Sequence, residues 1–132
     1  MKSEIHRMLI KESLEAIKES IQAGVEKRQR TIGFHCSAAA IDILELFLHQ
    51  KNLIDPGTIF KHDFFSSVRK ANEKLEVEFQ NKNEMIALLV EIESKRNLLC
   101  YGKPQTRDHI EEYISFFNKF RKIFDDMGVI YE

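Results

Sequence analysis

The chain has 132 residues, which suits one domain and leaves no room for two ordinary ones. Charged residues make up 31% and hydrophobic ones 43%, a globular balance that excludes a disordered chain. The net charge of −1 excludes a global pull toward nucleic acid or an anionic membrane, so any such contact needs a local basic patch.

Two cysteines, Cys36 and Cys100, stand far apart in no pair motif. That pattern fits a reducing compartment better than a disulfide framework. No apolar run approaches the roughly 18 residues expected of a membrane span, so none is predicted. Met1-Lys2-Ser3-Glu4 is charged and does not resemble a signal peptide. A soluble, cytoplasmic protein is the expectation.

Gly and Pro number five and two, so long helices with few breaks are expected. The first helix is predicted over 3–27, with Ser3 as N-cap and a stripe of Ile10, Leu14, Ile17, Ile21 and Val25. The second is predicted over about 30–50. Ile32, Cys36, Ala39, Ala40, Ile43 and Phe47 line one of its faces; Phe34, Ala38, Ile41 and Leu48 line another. A helix apolar on two faces is central. The small run Ser37-Ala38-Ala39-Ala40 lets a neighbouring helix, or a dimer partner, approach closely.

Asp55-Pro56-Gly57-Thr58 reads as a turn, with Gly57 at positive φ. A third, shorter helix is predicted over about 60–75, carrying Phe64, Val68, Ala71 and Leu75. Asn81-Lys82-Asn83 marks either a break or a polar helical turn. The fourth helix bears Met85, Leu88, Leu89, Ile92 and Leu99 and ends at Gly102, a left-handed cap, and Pro104. Asp108 with Glu111 resembles a capping box for the last helix. That helix carries Ile110, Tyr113, Ile114, Phe117, Phe120 and Phe124 as core or dimer seam. Gly128 closes it, and Val129 to Glu132 form a tail. Strand signals are absent. The expected fold is all-α, one antiparallel bundle of about five helices.

The fourth stripe contains an anomaly. It runs Met85, Leu89, Ile92, then Arg96, then Leu99. An arginine where an apolar residue belongs either snorkels to water or points into a cleft, where its planar fork suits phosphate. Lys95, Lys103 and Arg107 add positive charge nearby, against Glu93 and Asp108. Lys27, Arg28 and Arg30 form a second basic cluster at the first helix junction. Tyr101 is placed either to stack on a base or to pack on the core edge. His6, His35, His49 and His62 show no metal spacing among themselves, so no metal or other cofactor is predicted. Lys61-His62-Asp63 reads as a capping segment, and no Ser/His/Asp arrangement is visible.

Arg96-Asn97-Leu98-Leu99-Cys100-Tyr101-Gly102-Lys103-Pro104 resembles the motif of HEPN domains, in which a polar Arg-Asn pair near the end of a long helix precedes a His by a few residues. The helix order also resembles that family. The resemblance implies a bundle that dimerises, bringing two motif copies into one cleft. It implies RNA or nucleotide binding, metal-independent endoribonuclease activity in many members, and a toxin–antitoxin setting with a nucleotidyltransferase partner in others. Arg96, Asn97 and Lys103 then hold the motif's catalytic places; Arg96, Tyr101, Lys103 and Arg107 hold its phosphate-contacting surface. The family His is missing: Lys103 takes the last place open to it, and a lysine with a pKa near 10.4 stays charged where a histidine near 6.5 exchanges protons. The expectation is RNA or nucleotide binding at a dimer cleft with weak or lost ribonuclease activity. The alternative is a non-catalytic helical module that scaffolds or neutralises a partner.

Overall fold

The computed structural model describes residues 3–129. Among them are five α-helices and no strand: α1 (Ser3–Ala23), α2 (Gln29–Gln50), α3 (Val68–Lys74), α4 (Lys82–Tyr101) and α5 (Arg107–Asp126). A single 3-10 turn, His62–Phe65, precedes α3.

α2 is the centre of the bundle. It packs against α1, α4 and α5, which accounts for its two apolar faces. By length and composition α2 is also long and apolar enough to cross a membrane, although most of that stretch is buried inside the bundle. Here its apolar residues are consumed by neighbouring helices instead. Ser37, Ala39 and Ala40 are fully buried within the chain, so this small-residue patch serves internal packing and is not an open dimer surface. Phe117, Phe120 and Phe124 are likewise core and not an exposed seam.

Several local expectations are corrected. α1 ends at Ala23, not near residue 27, because Gly24 adopts a φ of 118°. Ser3 is already helical, and Ile21 is 46% exposed. The stretch predicted as one helix over 60–75 divides into the 3-10 turn and the seven-residue α3. Ser67 creates the division: its side chain accepts from the Lys70 amide and starts a new helix. The 55–58 turn closes through the Thr58 amide on the Asp55 carbonyl, without positive φ at Gly57. Asn81, at φ 64°, is the break before α4. Thr106, not Asp108, caps α5 by accepting from the His109 amide. Of the predicted tail only Val129 lies within the described residues, and it is buried.

Two glycines act through close approach. A Cβ on Gly33 would stand 2.8 Å from Leu99 Cβ and 3.2 Å from Cys100 Sγ, so α2 meets α4 there backbone to side chain. Gly102 is extended, not left-handed, yet a Cβ would fall 2.5 Å from the Leu98 carbonyl oxygen. The buried Tyr113 hydroxyl donates to the Gly33 carbonyl at 3.1 Å and ties α5 to the same crossing.

Candidate site at the start of α2 and the end of α4

The Gly33 crossing determines what surrounds it. One residue on, Phe34 turns outward and is 50% exposed, although its spacing assigned it to the core. The Arg96 guanidinium lies over the Phe34 ring at 5.9 Å. Arg96 is half-buried, and its Nε is buried without a hydrogen-bond partner. Cation–π contact is worth about 0.5–2 kcal/mol, whereas a buried donor left unsatisfied costs about 1–3 kcal/mol. The ring therefore supports this side chain without fully satisfying it.

A second pair repeats the arrangement. Arg30 lies over the Tyr101 ring at 5.6 Å, and Tyr101 is 69% exposed. Arg30, Thr31, Phe34, His35, Cys100 and Tyr101 line an open cleft of about 290 Å³. That is the small end of the range for ligand sites, a size for one base or sugar-phosphate unit. Both arginines act electrostatically on Cys100, opposing the burial that pushes its thiol pKa up. Burial thus favours the neutral thiol over the reactive thiolate.

Gln29 fastens this end of the molecule. Its Nε2 donates to the Leu99 and Lys103 carbonyls, each at 3.1 Å, and its Oε1 accepts from the Gln105 amide at 2.6 Å. Arg30 is thereby held beside the Arg96 to Lys103 segment, whereas Lys27 lines a different cleft with Arg107.

The other predicted residues divide. Asn97 and Lys103 are exposed on the same helix end. Arg107 does not join them: it pairs with Glu111 at 2.7 Å and faces the α1–α2 turn. His109 lines a different cleft with Lys95, Leu98 and Tyr113. His35 does line the Arg30–Tyr101 cleft. Its Nδ1 lies 3.1 Å from Ser13 Oγ, and burial lowers its pKa, with Glu12 opposing.

A Ser/His/acid cluster exists where none was read. Ser37 Oγ donates to Glu93 at 2.5 Å, and His62 Nδ1 stands 3.1 Å from both Glu93 oxygens and 3.0 Å from Ser37 Oγ. One ring nitrogen faces both partners and the serine is fully buried, so the relay of a nucleophilic triad is not formed. It pins the 3-10 turn to α2 and α4. His6 and His49 stack on one another with ring centroids 5.7 Å apart, and His6 also contacts Asp42 and Glu45.

Comparison with known proteins returns no match to a family model, a curated protein or a solved structure.

Proposed function

We propose that the cleft between the start of α2 and the end of α4 binds RNA or a nucleotide through its phosphates, in a HEPN-like cytoplasmic protein that works as a homodimer. The observation that carries this reading is Arg96: a guanidinium placed over an aromatic ring, with a buried N–H that no group among the described residues satisfies. Arg30 and Arg96 are the phosphate contacts, while Phe34 and Tyr101 offer faces on which an unpaired base stacks. The Arg96 to Lys103 resemblance supports the same assignment. In a dimer meeting at this end, two such half-sites would form one groove, spanning more than the single unit each accepts.

A cleavage reading rests on His35. This imidazole lines the cleft and is held neutral by burial, the form that accepts a proton from a ribose 2′-hydroxyl. Incubation of the protein with labelled single-stranded RNA over a salt series tests both readings. Binding is expected to weaken steeply with salt and to fall at least tenfold in Arg96→Ala. Salt-insensitive binding, or equal affinity in Arg96→Ala, would contradict the binding site. Cleavage, if it belongs here, disappears in His35→Ala; cleavage that persists there removes His35 from the chemistry.

A further inference from the structure

At the other end of α2, three side chains converge with no role in the arginine cleft. His6 from α1 is fully buried, Asp42 retains 17% of its side-chain surface, and Glu45 is 2% exposed. One ring nitrogen of His6 and one carboxylate oxygen from each acid lie within 4.8 Å of one another. We propose that His6, Asp42 and Glu45 bind one divalent first-row transition-metal ion of the zinc class, with the His49 ring stacked on His6 beside them.

His6 Nδ1 stands 3.2 Å from Asp42 Oδ1, and His6 Nε2 stands 3.4 Å from Glu45 Oε2. An ion takes only one of these nitrogens and leaves the other to a carboxylate, the usual way a ligating histidine is oriented. The three donor atoms within 4.8 Å of one another close on an ion by side-chain rotation, toward bonds of about 2.1 Å.

Unsatisfied atoms supply the independent sign. His6 Nε2 is buried without hydrogen-bond geometry to any partner, and so is His49 Nε2 on the ring stacked against it. A histidinium held between two carboxylates would account for the 3.2 and 3.4 Å contacts. It leaves the buried His49 Nε2 unexplained. A dication matches the two carboxylate charges. Imidazole nitrogen with few oxygens selects zinc-like ions over calcium or magnesium.

Asp42, Glu45 and His49 recur at i, i+3 and i+7 on one face of α2, and His6 reaches that face because α1 packs along it. The site lies in the α1–α2 half and is independent of the RNA-binding reading.

Chelator-treated protein titrated with zinc chloride alone, followed by calorimetry, tests the proposal. One ion per chain is expected, with proton release and a rise in Tm. Asp42→Asn, at the rim of the site, is expected to stay folded by circular dichroism and to weaken zinc binding roughly tenfold or more. His49→Ala, also only half-buried, is a second folded variant expected to weaken it. Cobalt(II) should give visible absorption bands that Asp42→Asn alters. Absence of saturable zinc binding in the parent chain overturns the proposal in favour of a simple ion-pair cluster. So does binding that is unchanged in both folded variants, which would place the zinc on surface groups.

Discussion

Arg96 rests by its face on a phenylalanine and makes no ion pair among the described residues. That distinguishes Arg96 from Lys95, which is spent on Glu112, and from Arg107, which is spent on Glu111. The break in the apolar stripe at position 96 was visible in the sequence because a period has a predictable next member. Phe34 was not recoverable that way, since an aromatic residue at helical spacing looks the same facing a core or facing water. His35 carries a prediction at this scale. Its pKa is lowered mainly by burial, so the fold prefers the neutral ring and the unfolded chain binds more protons below the ordinary value near 6.5. The resulting stability is present above that value and is lost as pH falls through it toward the folded pKa. In metal-free protein, Tm measured between about pH 7 and pH 5 should fall with acidification, and His35→Gln should flatten the fall. An unchanged slope in the variant would assign the effect to other groups.

At the level of elements, helix number and order were legible because periodicity is local: Ile10 and Ile17 of α1, or Tyr113, Phe117 and Phe124 of α5, declare their faces without reference to anything distant. The contacts that assemble the site are the opposite case. Gln29 meets Leu99 and Lys103, and Gly33 meets Leu99 and Tyr113, across 66 to 80 positions of chain, and no local pattern encodes those pairings. The 3-10 turn was missed for a related reason: Phe64, Val68, Ala71 and Leu75 keep helical spacing across the Ser67 cap. Gly33→Ala tests the crossing. Alanine is the better helix former by about 1 kcal/mol, so propensity alone predicts a gain in stability. The close approach to Leu99 predicts overpacking of about 1–3 kcal/mol and a lower Tm, together with weaker RNA binding as Phe34 and Arg96 are pushed apart. A Tm equal to or above the parent's would mean the two helices separate without cost.

For the molecule as a whole, α2 organises two chemically different ends. Its first turns share a cleft with the end of α4, lined by Arg30 and by the Phe34 on which Arg96 rests, in a chain whose net charge is −1. Its last turns carry Asp42, Glu45 and His49 against His6. The concentration of cationic and aromatic groups at one end is the central claim, and amide NMR reads it directly. Addition of a short single-stranded RNA to labelled protein should perturb residues 29–35 and 96–103, weakening as salt is raised, and should leave residues around His6 and Asp42 unmoved. Perturbations spread evenly over the surface, or centred on the far end of α2, would contradict it.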